Sequence, residues 1–460
     1  MRKLVWLLVL AALGYGAWWA WGAFESNAPR ISMRDTLIYV GAKYVQEITA
    51  VDDGRGIESM RVFISSGDKE YPLVEEKYPG DLLEGAEPNV PRSLEVSIVP
   101  KDLELPQGEA TLVVEAKDYS WSSNVERVEV PLIVDSRAPR PSLLTGLTYA
   151  RQGGTELAVY EINEEVSKHG IQVGEEFFPG FIHPSSPKQL LAFYALPHDA
   201  SKDLVPQLVA VDKAGNRTTV PLSISLLLRK PVSDRFELSD DFLRRKVAEL
   251  MPDEEGVDPL AGYLKLNTEM RAANNKKIRE ICAESSQERL WDSPFVQMPD
   301  SKVGAGFAAA RTYTKGGKEV DFQLHLGYDL SSTSRIPVPA SNDGVVVFAD
   351  DLGIYGRTVI LDHGLGLFSL YGHLSEITVE KGKPVAQGDK LGRSGDTGLA
   401  GGDHLHYSMM LSGVFIDPIE WFDGKWIREH IEGKLAPPPP DPSEQTAPPG
   451  DGSAAQPEGT

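Results

Sequence analysis

Two stretches of this chain follow one plan, and the plan belongs to β-structure. Ala28-Pro29-Arg30 opens the first and Ala138-Pro139-Arg140 the second. Near the end of each comes an apolar run, an Ala-x-Asp or Ala-Val-Asp, and then an asparagine: Ala116, Asp118 and Asn124, then Ala210, Asp212 and Asn216. Val130-Pro131-Leu132 and Val220-Pro221-Leu222 follow. Between these marks lie short alternating segments such as Met60-Arg61-Val62-Phe63-Ile64 and Leu112-Val113-Val114-Glu115-Ala116. Period-two alternation bounded by Gly, Asp and Pro predicts antiparallel strands with one buried face. A chain holding 43 glycines and 33 prolines has the turns such strands need. Units of this size and texture predict two β-sandwich modules, at 27–136 and 137–232.

The N-terminus sets a second constraint. After Arg2 and Lys3, the run from Leu4 to Phe24 carries no charged side chain. At about 1.5 Å per helical residue it just spans a hydrocarbon core of about 30 Å. Trp18, Trp19 and Trp21 gather at its far end, where indoles prefer the lipid–water interface. Arg2 and Lys3 predict a cytoplasmic N-terminus and export of everything beyond residue 26. A cleaved signal peptide is the rival, but the bulky Tyr15 and Trp21 stand where cleavage wants small residues. The expectation is a single-pass anchor in the inner membrane, with the remaining domains in the periplasm. A formal charge of −21 argues against generic nucleic-acid binding. The single cysteine, Cys282, excludes an internal disulfide framework and a thiolate zinc cluster. A metal in this chain needs histidine and carboxylate.

The period changes at Ser239. Ser239 reads as an N-cap followed by Asp240 and Asp241 against the helix dipole, with Phe242, Leu243, Val247 and Leu250 at helical spacing. A second helix is predicted from about Pro259 through Leu264, Met270, Ile278 and Ile281. This gives a helical segment at 233–294. Residues 435–460, rich in Pro, Gly and Ser, are expected to form a disordered tail.

The chemistry concentrates further on. Of nine histidines, five fall between His325 and His406. His404 and His406 are two apart, so on a strand they address one site. Asp329 follows His325 by four, with Gly327 between them allowing the backbone to bend. Two imidazoles and a carboxylate make a usual zinc set that leaves a coordination position for water.

Those residues belong to a longer series. His325-x-Gly327-x-Asp329 is followed by Ile336-Pro337-Val338-Pro339-Ala340, Gly344-Val345-Val346 and Tyr355-Gly356. Val359-Ile360-Leu361-Asp362-His363-Gly364, Tyr371-x-His373-Leu374, Gly395-x-Thr397-Gly398 and His404-Leu405-His406 complete it. The segment from about Phe295 to Phe422 resembles the LytM/lysostaphin-type zinc endopeptidases, which cut peptide bonds in bacterial peptidoglycan. The resemblance implies a small antiparallel β-domain at 295–434 with its site in an open groove. It implies zinc (Zn2+) on His325, Asp329 and His406, with His373 and His404 as the catalytic pair and His404 the favoured base. Arg357, Ser408 and Gly402-Asp403 depart from the usual pattern without removing a ligand.

The expected protein is therefore mainly β. A transmembrane helix (1–26), two immunoglobulin-like sandwiches acting as spacers and a helical segment lead to a membrane-anchored zinc endopeptidase acting on peptidoglycan through a zinc-activated water. The alternative is a non-catalytic cell-wall binding or hydrolase-activating module.

Overall fold

The structure is a computed structural model describing residues 2–254 and 256–436; the tail expected from residue 435 lies almost wholly outside the described residues. The described chain is mainly β. It divides into two compact units, one of residues 1–140 with 163–168 and 210–218, the other of the remainder.

In the first unit, Arg2–Ala23 is one helix, and its Leu4–Ala23 stretch is long and apolar enough to cross a membrane. The helix runs directly into folded protein. The Trp121 amide donates to the Ala23 carbonyl at 2.7 Å, and the Trp121 ring meets Trp19 and Phe24 edge-on. A five-stranded sheet in the order Ile38–Val40, Val125–Val134, Gly108–Asp118, Ile57–Ser66, Lys69–Lys77 faces a three-stranded one of Arg30–Met33, Tyr44–Val51 and Arg92–Ile98. Their alternate residues make one core, with Ile48, Val96 and Ile98 from the smaller sheet against Val62, Ile64, Leu112 and Val114 from the larger.

The repeated Asp…Asn marks have a physical reason. The Asp118 carboxylate accepts from the Asn124 amide and side chain, while Asn124 Nδ2 also donates to the Glu25 carbonyl. Asp212 accepts from the Asn216 amide and side chain in the same way, and Asn216 Nδ2 donates to the Asp135 carbonyl. Each copy thus ties a turn to the segment that enters its module, saturating backbone groups that would otherwise be unpaired.

In the second unit a four-stranded sheet runs Phe181–His183, Ser186–Ala195, Thr155–Ile162, Pro141–Leu143. Its apolar face does not close on itself. Leu157, Phe193 and Tyr194 share one core with Trp291, Phe295, Leu361, Tyr371, Trp421 and Ile427 from further along the chain. Residues 141–162 and 169–209 are therefore built into the same body as the histidine-rich region rather than standing off it as a spacer. Polar groups stitch this contact: Glu420 accepts from the Thr155 amide at 2.8 Å, and buried Glu156 meets His430 and Lys434.

Burial pushes the Glu420 carboxyl up to about 8 from an ordinary 4.5. A raised folded-state pKa gives stability that is full below about pH 4.5 and is lost as pH rises through about 8. Glu420→Gln, which keeps an acceptor for Thr155 but cannot ionise, should therefore melt progressively higher than the parent as pH rises from 5 to 8. Melting curves at both pH values check this; an unchanged difference contradicts it.

The helical segment comprises Asp240–Leu250, capped by the Ser239 hydroxyl, then Pro259–Lys265, a π-helical turn Leu266–Met270, and Arg271–Ile281. Leu243, Val247, Tyr263 and Leu266 form a small core of their own, while Ile278 and Cys282 pack against Ile354, Ile360 and Phe368. The histidine-rich region is a large antiparallel sheet in the order Lys302–Ala305, Tyr328–Ser331, Leu405–Leu411, Leu367–Leu374, Arg357–Asp362, Gly344–Asp351, Pro384–Val385, with Val414–Ile416 paired to Leu405–Leu411. Beside it, Ser233–Glu237 pairs parallel with Ala309–Lys315, which pairs antiparallel with Lys318–His325.

Candidate metal centre and its groove

Three strands deliver the inward-facing polar groups. His325 ends the strand Lys318–His325, Asp329 lies on Tyr328–Ser331, and register pairs Asp329 with His406 and His406 with Gly372. Gly327 is needed for space as much as for bending. A Cβ there would lie 2.5 Å from Ser408 Oγ and 2.8 Å from His406 Cε1, so only glycine lets the two segments approach.

His325 Nε2, Asp329 Oδ1 and His406 Nδ1 form a triangle with sides of 2.9, 3.1 and 3.1 Å. Tracing the hydrogens shows what this triangle fits. His325 Nδ1 faces the Gly306 carbonyl at 3.0 Å, which can only accept, so Nδ1 carries the proton and Nε2 presents a lone pair inward. Ser408 Oγ donates to the Leu326 carbonyl at 2.8 Å, so it accepts from His406 Nε2 at 3.0 Å and leaves the His406 Nδ1 lone pair inward. Burial holds the His406 pKa down to about 4, which keeps that ring neutral. Two imidazole lone pairs and a carboxylate oxygen thus converge with no hydrogen between them. A small cation satisfies all three. Tetrahedral zinc with bonds of about 2.0–2.1 Å holds its donors about 3.3 Å apart, close to the triangle seen. The donor set fits zinc.

The outer oxygen of Asp329 is taken by Arg311 Nη2, which fixes the carboxylate plane so that Oδ1 faces the imidazoles. Asp329 is partly buried, which opposes its charge, yet contacts with His325, His404 and His406 hold its pKa well below the usual carboxylate range.

Two further imidazoles stand beside the triangle. His404 Nδ1 donates to the Gly402 carbonyl at 2.7 Å and its Nε2 lies 3.4 Å from Asp329 Oδ1. His373 Nδ1 donates to the Thr397 carbonyl at 2.8 Å, from a backbone held at φ +62°. That left-handed conformation is costly for a non-glycine residue and aims the ring into the groove. Its ring centroid lies 4.9 Å from that of His404 and 5.8 Å from that of His406. Burial disfavours both cations, but the two diverge. Asp329 raises His404 above the ordinary imidazole value, whereas His373, facing His404 and His406, falls well below it.

The structure therefore brings together all five residues singled out from the sequence. His363 stands apart: it is fully buried, bonded to the Asp343 carbonyl and Ser369 Oγ, and pushed down to about 4 by burial, as a core histidine is. Asp403, one of the departures from the usual pattern, accepts from Ser334, Arg335 and Ser394 and pins the loop leading to His404.

A cavity of about 610 Å³ opens over this centre. One wall carries His325 from Lys318–His325, His373 and His406 from the large sheet, His404 just ahead of Leu405–Leu411, and Tyr355 from the turn Gly353–Tyr355. The other wall comes from residues that sequence reasoning did not link to the site. These include Phe236 on Ser233–Glu237, Phe242 and Tyr263 on the helices, Tyr313, and Arg271. Phe236 stacks on Tyr313, and Tyr263 meets Tyr313 edge-on, so this wall is aromatic. The alternation of Ala309–Lys315 put Arg311 and Tyr313 on one face, the one signal that could have flagged them.

Residues 323–418 match the model of Peptidase family M23. The DD-carboxypeptidase/endopeptidase Mpg of Neisseria meningitidis serogroup B is 38% identical over 98 residues, covering 21% of this chain and 23% of that protein. The peptidoglycan DD-endopeptidase ShyA of Vibrio cholerae serotype O1 is 40% identical over 89 residues, 19% of this chain and 21% of that protein. Among solved structures, the catalytic domain of lysostaphin from Staphylococcus simulans aligns at 26% identity over 27% of this chain and 98% of that one, with a TM-score of 0.23. The chain spans less than a quarter of the length of the two curated relatives it matches here.

Proposed function

Residues 323–418 are a peptidase family M23 domain, and from that premise we propose that the chain is a membrane-anchored zinc endopeptidase hydrolysing peptide bonds in peptidoglycan stem peptides or cross-links. The observation that carries this reading is the triangle of inward lone pairs on His325, Asp329 and His406, with two more imidazoles within one ring of it. The complete set favours an enzyme over a non-catalytic wall-binding module. One similar protein is named a DD-carboxypeptidase/endopeptidase and another a peptidoglycan DD-endopeptidase, which supports the substrate class.

The roles follow from the protonation states. His325 Nε2, Asp329 Oδ1 and His406 Nδ1 would hold the zinc, which when bound supplies Lewis acidity toward a water and the scissile carbonyl. His373 and His404 each donate Nδ1–H to a backbone carbonyl, leaving Nε2 of each for the reacting groups. His404, the more basic and the nearer to Asp329, takes the water proton and can return it to the leaving amine. His373 lies over the same space; with Nδ1–H committed to Thr397, its Nε2 lone pair accepts from the water, and after taking up a proton there it can donate to the oxyanion.

The apolar helix, continuous with the first module through Ala23 and Trp121, supports an uncleaved anchor in the inner membrane with the peptidase in the periplasm. Two immunoglobulin-like sandwiches would complete the exported part, the second as a structural buttress for the peptidase.

Zinc content tests the centre directly. The chain purified from zinc-containing medium should hold one zinc per molecule by native mass spectrometry, and Asp329→Ala none. Equal zinc in both would contradict the assignment.

A further inference from the structure

The groove wall opposite the zinc triangle carries a cation that, among the described residues, forms no ion pair with a carboxylate. Three arginines line this cavity: Arg235, Arg271 and Arg311. Arg311 is spent on Asp329, and Arg235 pairs with Glu319 at 3.7 Å. Arg271 is different. It is half-buried, and among the described residues its guanidinium bonds only to Asn267, through Nε to the carbonyl and through Nε and Nη2 to Oδ1. No described carboxylate forms an ion pair with it, and Nη1 has no described protein partner.

The fold works to hold it there. Asn267 is fully buried, and its amide is oriented from both ends: Nδ2 donates to Asp321 Oδ2 while Oδ1 accepts from Arg271. The π-helical turn Leu266–Met270, closed by the Arg271 amide on the Leu266 carbonyl, shifts the helix phase just before Arg271. Such turns cost regular helix bonding and recur where a side chain must be aimed. One phenol ring separates this wall from the zinc triangle. Tyr355 lies 5.5 Å from His406, centroid to centroid, and its hydroxyl donates to Asn275 on the helix that Arg271 begins. A half-buried guanidinium held by neutral groups and lining a substrate groove calls for a carboxylate on the ligand. Of the acids around the cavity, Glu237 accepts from Thr314 and the Gly316 amide, Asp329 is in the triangle, Asp321 reaches Arg271 only through Asn267, and Asp234 forms no described ion pair with it.

We propose that Arg271 is a specificity-determining residue that binds a free carboxylate of the substrate peptide, so that the enzyme selects acidic stem peptides over their amidated counterparts. This rests on the peptidase reading and deepens it. The aromatic wall of Phe236, Tyr263 and Tyr313 would pack the peptide's apolar side chains beside that carboxylate.

The test compares purified cross-linked stem peptides with free carboxylates against the same peptides chemically amidated. It uses the zinc-loaded full chain in detergent, and it measures binding by calorimetry and cleavage by chromatography. The parent should bind the free-acid peptide about 10–100-fold more tightly, the scale of a charge-assisted hydrogen bond. In Arg271→Gln that preference should collapse to near unity, with the loss in KM rather than kcat. Arg271→Lys should retain part of it, and zinc content should stay the same in all three. A parent that binds both peptides equally, or an Arg271→Gln chain that keeps the preference, overturns the proposal. Because binding is read separately, absence of cleavage by the parent counts against the peptidase reading alone, and the binding ratio still decides Arg271.

Discussion

Replacing His406 with alanine should abolish both zinc retention and peptide release, while replacing His404 should abolish release and leave the zinc in place. The two residues are separated by one position, yet the structure gives them different work. His406 Nδ1 is an apex of the lone-pair triangle, and its proton is committed to Ser408. His404 Nε2 stands 3.4 Å from Asp329 Oδ1, outside the triangle, with its ring exposed at 15%. Losing an apex removes the cation, and with it the lowering of water pKa from 15.7 to about 7; a fall of three orders of magnitude or more in rate is expected. Losing the proton acceptor should cost about 10²–10⁴-fold. Metal analysis alongside initial rates for the two variants separates the roles. A His404→Ala chain that loses its zinc, or a His406→Ala chain that keeps it, would exchange the assignments.

Trp421→Ala should destabilise the second unit by about 3–5 kcal/mol, the cost of emptying a large aromatic site in a packed core. Trp421 is fully buried and meets Phe193, Trp291, Phe295 and Trp426 at centroid distances of 5.3–6.0 Å. Phe193 belongs to the strand Ser186–Ala195, and Trp291 and Phe295 lead into the peptidase region. The cavity should therefore loosen both together. Hydrogen exchange should show protection falling in 155–162 and 186–195 as well as in the large sheet. Protection lost on the sheet side only would mean that the two regions fold independently.

That shared core marks the boundary of what the sequence made legible. Local signals read well where local physics decides. The alternation of Leu112–Ala116 foretells a strand because a half-buried sheet face imposes period two. Ser239 with Asp240 and Asp241 marks a helix start because orphan amides need acceptors. The spacing of His325, Asp329, His404 and His406, set in its run of ordered blocks, points to one site, and the structure brings these residues together. Partnership between distant elements is another matter. The apolar stripe of Asp240–Leu250 announces that something covers it and is silent on what. The hydrogen-bonded pairing of Ser233–Glu237 with Ala309–Lys315, which builds the groove wall, depends on backbone contacts that no side-chain pattern records. Gly327 is a further case. The bend was foreseeable, but the close approach of Ser408 and His406 that forbids a side chain there exists only in the folded sheet. Arg271 was invisible for a related reason: that no described carboxylate pairs with it is a property of the whole cavity.

Hydrolysis of peptidoglycan peptide bonds in this groove, with zinc on His325, Asp329 and His406 as proposed above, is open to one decisive experiment. It is the digestion of intact cross-linked peptidoglycan by residues 27–460, with the released fragments identified by mass. Peptide-linked fragments of defined mass are expected in the presence of zinc, none after chelation, and recovery when zinc is restored. Unchanged release after chelation, or no release by folded protein shown to carry one zinc, would contradict it.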